Sequence, residues 1–199
     1  MVDTDPRVAP ATTEDVAAVT DLWVALAAGQ REHGATLGAE ANRATVREWV
    51  ARSVVTGELL VARDADDAGD ADSDASDADS DASDADSDAS DADRDAERGP
   101  VGFVGFGLER GDYERDATRG TVSNLFVVPE RRGEGIGGAL LDAAERALRE
   151  RGADRVALEA LADNDRAREF YADRGYKRHR VVLTKPLADG EGDGPNADG

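Results

Sequence analysis

The chain has 199 residues, the length of one ordinary domain, with 44 acidic against 24 basic residues and a formal net charge of −20. It has no cysteine, which excludes a disulfide framework, thiolate metal sites and an acyl-cysteine intermediate. The acidic balance argues against a nucleic-acid partner, and neither an apolar run of about eighteen residues nor an apolar stretch after Met1 is present, so the expectation is a soluble cytoplasmic protein without membrane contact.

In chain order, a short extended piece around Val8 precedes a helix. It starts at Thr12, with Asp15 three residues on as a capping-box partner. Val16, Val19, Leu22, Trp23 and Leu26 recur at spacings of three and four, one apolar helix face that Gly29 closes. Val46, Trp49, Val50 and Val54 predict a second helix ended by Gly57, and residues 59–63 read as a strand.

The acidity is concentrated immediately after that strand. Residues 65–98 hold fourteen Asp and one Glu against Arg94 and Arg98, and repeat D-A-D-S-D-A-S from Asp70, Asp77 and Asp84. Nothing there is branched or aromatic, and its charges repel one another. It therefore reads as a disordered insertion that cannot offset the entropy of ordering. Alternate carboxylates also suit calcium, but the repeat lacks the glycine turns that fold ligands around one ion, and no metal is expected. Such an insertion is best tolerated at a hairpin tip. Only Lys177 and Lys185 are lysines, and this aspartate-rich, lysine-poor composition is similar to that of extreme halophiles.

Val101, Phe103, Val104 and Phe106 predict a strand broken by glycines, and residues 121–128 a further strand that Pro129 ends. A helix over 135–151 has an inner face of Ile136, Leu140, Ala143, Ala144, Ala147 and Leu148. Residues 155–161 alternate as a strand, with Ala157, Glu159 and Leu161 on one face. A short helix over 164–174 and one or two strands over 176–187 come next, then a disordered acidic tail, 189–199. The expectation is a single domain formed by 1–64 and 99–188. Its predicted class is α/β, a mixed, mostly antiparallel central sheet flanked by about four helices.

The informative stretch is 125–138, L-F-V-V-P-E-R-R-G-E-G-I-G-G, a strand running into a glycine-rich turn that opens a helix. Missing Cβ atoms let a ligand reach the backbone, and N–H groups at the helix start favour an anion, most naturally phosphate. Arg131 and Arg132 add permanent charge. Gly133, Gly135 and Gly138 match G-x-G-x-x-G, but Pro129 to Arg132 separates strand from glycine, and too few residues remain for a doubly wound sheet.

Arg132, Gly135 and Gly137 meet R-x-x-G-x-G after a strand ending V-P. This resembles the pyrophosphate loop of the GNAT superfamily, the acyl-CoA-dependent N-acetyltransferases. Glu159, Asn164, Tyr171, Gly175 and Tyr176 fall in a second pattern of that family. The resemblance implies that Leu125, Phe126 and Val127 pair through their backbone with the pantetheine arm of acetyl-CoA. Arg132, Gly133, Glu134, Gly135, Ile136, Gly137 and Gly138 would hold its pyrophosphate. Asn164 would bond the cofactor arm, or cap its helix, and Tyr171 would be the general acid. Ser123 and Asn124 stand where many members have a Glu. Glu159 has the spacing of a base in ribosomal-protein alanine acetyltransferases, and is otherwise an exposed strand residue paired with an arginine. The implied activity is acetyl transfer from acetyl-CoA to a primary amine (a small molecule, a protein N-terminus or a lysine) by direct attack in a ternary complex. The alternative is a non-catalytic CoA-binding regulatory module of the same fold. The implied partners are acetyl-CoA and the amine, with homodimerisation left open.

Overall fold

The sequence periodicities condense into nine regular elements in the computed structural model, which describes residues 7–64, 99–109 and 117–185. The insertion 65–98 and the tail 189–199 lie outside the described residues. The chain divides into two units, Met1–Asp163 and Asn164–Gly199.

The first unit is a five-stranded sheet in sequence order. Its strands are β1 (Arg7–Pro10), β2 (Leu59–Arg63), β3 (Gly102–Leu108), β4 (Arg119–Val127) and β5 (Arg155–Leu158). The first four pair antiparallel and β5 joins β4 in parallel, so the sheet is mixed and mostly antiparallel as expected. The insertion joins β2 to its antiparallel neighbour β3, the hairpin position predicted for it. Three helices accompany the sheet: α1 (Val16–Gln30), α2 (Arg43–Val55) and α3 (Ile136–Glu150). A fourth helix, α4 (Asp165–Asp173), lies in the second unit. Among the described residues no helix is long and apolar enough to cross a membrane.

Both faces of the sheet are covered, which is why β2 reads as the unbroken run L-L-V-A-R with every residue buried. On one side α1 and α2 contribute Val19, Trp23, Ala27, Val46 and Val50 to a core with Leu59, Val61, Phe103 and Phe126. Trp23, on the apolar face predicted for α1, is thus a core residue. α3 packs on β2, β3 and β4. It comes close because glycines lie beneath it: a Cβ on Gly102 would stand 3.2 Å from Leu140 and one on Gly120 2.8 Å from Leu148.

The N-terminus of α1 is fixed by the predicted Thr12–Asp15 contact. The Thr12 N–H donates to the Asp15 carboxylate at 2.8 Å after a 3₁₀ turn at Thr13–Asp15. The same carboxylate accepts from Arg63 at 2.5 Å, and both partners are buried. Removing one partner of such a pair strands a buried charge, a loss of roughly 3–5 kcal/mol.

Two expectations fail at the end of the chain. β5 stops at Leu158 rather than Leu161, because β4 leaves the ladder at its Val122 partner. The predicted last strands do not form within 176–185, where no strand is present and Val181, Val182 and Leu183 are exposed. A strand exists only where its backbone pairs with a neighbour, and no ladder of the described sheet includes these residues.

Candidate active site

The site begins with a mismatch inside β4. Gly105 of β3 opposes Asn124, but the next residue, Phe106, opposes Val122, so Ser123 is one residue too many on β4. Such a bulge bends its strand and raises the local twist. At the same point β5 pairing ends, with Val122 against Leu158. From Ser123 to Val127, therefore, β4 has a strand neighbour only on its β3 side among the described residues.

Alternation decides which backbone groups face the open side. Val128 donates its N–H to Val101 C=O at 2.9 Å, toward β3. Two residues back, Phe126 turns its N–H and C=O the same way, whereas those of Leu125 and Val127 point to the open edge. Arg132 supports that orientation, since its Nε–H donates to Val127 C=O at 2.9 Å. Of the three residues expected to meet a pantetheine arm, Leu125 and Val127 present backbone at the edge. Phe126 spends its backbone on β3 and its ring in the core, 6.4 Å from Phe103.

The strand runs straight into the glycine turn. A 3₁₀ turn at Pro129–Arg131 leads to Gly133, φ +92°, and Gly135, φ +83°, the N-cap of α3. A Cβ added at Gly133 or Gly135 would have no neighbour within 4 Å, so the turn borders open space. The first bond within α3 runs from the Ala139 N–H to Gly135 C=O at 3.0 Å. The N–H groups of Ile136, Gly137 and Gly138 precede it, and a helix supplies no acceptors for its first turn. Open space, unspent donors and a positive dipole end converge there, which fits a pyrophosphate.

The two arginines divide the work. Arg131 bonds to Glu134 at 2.8 Å and also to Asp64 at the end of β2, and these carboxylates hold its guanidinium more firmly protonated than usual. Arg132 is exposed, with its charged group 5.5 Å from the centre of the Phe126 ring. The permanent charge available to a ligand is therefore chiefly that of Arg132.

Glu159 lies one residue past β5 and is exposed. Its charge acts on Arg119, whose main partner is Glu109. In the second unit, Asn164 caps α4 by accepting the Ala167 N–H at 3.0 Å through Oδ1. That bond leaves the two N–H donors of the carboxamide for other uses. Tyr171 is partly buried against Phe170 and Tyr176, with ring centroids 5.1 and 5.7 Å away. Burial pushes its phenol pKa up, which keeps the proton on oxygen at neutral pH. The end of α4 fixes this cluster: Tyr176 N–H donates to Tyr171 C=O at 3.0 Å around Gly175, a Schellman closure. His33 turns its Nδ1 to Asp163 C=O at 3.1 Å, a structural bond at the end of the first unit.

Sequence reasoning missed the Ser123 bulge and the Asp64 partner of Arg131. The bulge had one visible signal, a glycine inside the β3 pattern at Gly105. Asp64 had none, being 67 residues from Arg131.

Comparison with known proteins gives concordant results. Residues 59–176 match the model of the acetyltransferase (GNAT) family. N-alpha-acetyltransferase 30 of Schizosaccharomyces pombe is 35% identical over 79 residues, 39% of this chain and 53% of that protein. Mycothiol acetyltransferase of Beutenbergia cavernae is 44% identical over 61 residues, 31% of this chain and 20% of that protein. The alignments thus span about half and a fifth of these relatives. A solved GCN5-related N-acetyltransferase from Ralstonia eutropha JMP134 shares the fold, with a TM-score of 0.60, 21% identity, and coverage of 92% of this chain and 99% of that one.

Proposed function

The chain belongs to the acetyltransferase (GNAT) family, and we propose that it transfers an acetyl group from acetyl-CoA to a primary amine. The observation that carries this reading is the open edge of β4 running into the donor-rich start of α3. An extended amide-bearing arm fits the first and a pyrophosphate the second. Leu125 and Val127 would bind the arm, and Arg132 with residues 133–138 would bind the phosphates. We infer a single domain comprising 1–64 and 99–188, with 65–98 as an insertion between β2 and β3.

In this reading the amine nitrogen attacks the thioester carbonyl directly, since the chain has no cysteine to carry the acetyl group. The carbonyl π electrons move onto oxygen, where the open-edge Val127 N–H, rather than that of Phe126, is oriented to stabilise the charge. Collapse expels the CoA thiolate, and Tyr171, protonated at neutral pH, supplies its proton. The amine proton passes to water or to Glu159, whose exposure makes direct release to solvent equally available.

The regulatory alternative keeps one observation in its favour: Ser123 and Asn124 offer no carboxylate at the bulge. Thiol release from acetyl-CoA, measured with a panel of primary amines, separates the two. Amine-dependent release establishes the transferase; tight binding of acetyl-CoA with no release under any amine leaves the binding module.

A further inference from the structure

An amine that attacks a thioester must shed protons. Glu159, one residue past β5, is exposed, so solvent takes such a proton as readily as that carboxylate. Glu58 is a carboxylate in a better fixed place, where α2 hands over to β2. Its N–H donates to Ser53 C=O at 2.8 Å, closing the end of α2 around Gly57, φ +65°. Its C=O accepts the Phe106 N–H of β3 at 3.0 Å. The backbone is thus anchored to a helix on one side and a strand on the other, and the Thr56 hydroxyl donates to Oε2 at 2.9 Å.

The Glu58 side chain reaches across β3. A Cβ built on Gly107 would stand 3.2 Å from Oε1 and 3.3 Å from Cδ, so the carboxylate lies where Gly107 has no side chain. Gly105, two residues back, shares that face. A Cβ there would meet the Trp49 ring of α2 at 2.8 Å and Ser123 Oγ at 2.9 Å. The Glu58 carboxylate, the Trp49 indole and the bulge hydroxyl therefore share the α2 face of the sheet, one two-residue step of strand apart, about 7 Å. Gly107 pairs with Thr121 and Gly105 with Asn124, so the two glycines bracket Ser123. At that bulge β4 loses its β5 neighbour, and an arm lying along Val127 and Leu125 would bring its thioester end there.

We propose that Glu58, carried across β3 over Gly107, accepts the proton of the attacking amine through one bridging water. The inference rests on the reading of the chain as an acetyltransferase with its thioester end at the bulge. An ammonium acceptor gives one N–H proton to the water, and the water gives one to the carboxylate, which frees the nitrogen lone pair. The C–N bond forms and the nitrogen loses its second proton to solvent. The C–S bond breaks, and the thiolate takes a proton from the general acid. Glu58 then releases its own proton to solvent. A bridging water links groups about 5 Å apart, so the amine stands beside the bulge rather than against the carboxylate. Gly107 makes the crossing possible, because β2 is separated from β4 by the whole width of β3.

The test measures thiol release from saturating acetyl-CoA with a panel of primary amines, from neutral to alkaline pH, in the full chain, Glu58→Gln and Gly107→Val. Calorimetry of acetyl-CoA binding and thermal melting accompany it. Glu58→Gln should lower kcat by about 10²-fold or more at neutral pH, with acetyl-CoA affinity within about threefold. The deficit should shrink as pH rises, because the amine then arrives already deprotonated. Gly107→Val keeps the carboxylate but fills the space it occupies, and should reproduce the loss and its pH dependence. What it displaces is the flexible end of one side chain, so it carries the test if Glu58→Gln does not fold. Wild-type kcat in the folded variants overturns the proposal, and so does a deficit that stays constant with pH, the mark of a packing role. Absence of amine-dependent thiol release from the full chain at every pH overturns the transferase reading itself, and this role with it.

Discussion

Gly102, Gly105 and Gly120 in β3 and β4 are hemmed in, whereas Gly133 and Gly135 in the loop after β4 border empty space. A Cβ on Gly105 would stand 2.8 Å from the Trp49 ring, and one on Gly102 2.7 Å from Phe126 C=O. The loop glycines would meet nothing within 4 Å, yet both have φ between +80° and +95°. The strand glycines are absent side chains that a neighbour fills. The loop glycines hold a turn that points donors outward and leave room beyond it. The same residue type therefore supports packing in one region and leaves open space in the other, and substitutions should separate the two.

The largest expected effect is at the open end. Gly135→Val places a β-branched residue at φ +83° and puts its side chain where a pyrophosphate would lie. Acetyl-CoA affinity should fall by more than about a hundredfold, roughly 2.7 kcal/mol. The backbone strain costs only about 1–3 kcal/mol, so the protein should still melt cooperatively. Unchanged calorimetric affinity in a folded Gly135→Val protein would remove the loop from the site.

Tyr171→Phe asks whether the partly buried cluster of the second unit does chemistry or only packs. As general acid, Tyr171 should contribute about 10²- to 10⁴-fold to kcat, and the variant should keep its acetyl-CoA affinity. The raised phenol pKa gives a sign for pH as well: donation persists through neutrality and is lost as pH climbs through the raised value. The alkaline limb of the kcat profile should disappear in Tyr171→Phe. Wild-type kcat at saturating amine would reduce Tyr171 to a packing residue.

The crowded end should respond the other way. Gly120→Ala drives a methyl into Leu148, whose side chain is fully buried. Overpacking of this kind costs roughly 1–3 kcal/mol of stability. Acetyl-CoA affinity should stay within about threefold. Chemical denaturation and calorimetry on one sample measure both, and a large affinity loss without destabilisation would erase the contrast between the strand glycines and the loop glycines.

The smallest effect is expected at Glu159→Gln. Glu159 is exposed and its charge acts on Arg119, so surface screening limits its influence. We expect kcat within about tenfold of wild type, the range of a base that water can replace. A larger loss, rescued by raising the pH, would make Glu159 the base.

Much of the fold was legible because it is written locally. The capping pair Thr12–Asp15, the apolar face of α1 and the stop at Gly57 each involve residues within a few positions of one another. β2 was legible because its burial on both faces leaves an apolar run over residues 59–62, closed by Arg63. β5 was overestimated for the complementary reason. Its alternation continues to Leu161, but a strand ends where its neighbour leaves, and the bulge that turns β4 aside belongs to a different segment.

By itself the sequence determined the loop: strand, glycine turn and helix start are contiguous between Leu125 and Gly138, so their chemistry comes from order alone. The tertiary structure decided what that loop works with. Pairing with β3 oriented Leu125 and Val127 outward and Phe126 inward. Folding also brought Asp64 across 67 positions to Arg131, leaving Arg132 as the more accessible cation. Backbone alternation is fixed by which strand lies alongside, and ion pairing by which charges meet in space. Neither has a period in the sequence, because both depend on segments that only the folded chain brings together.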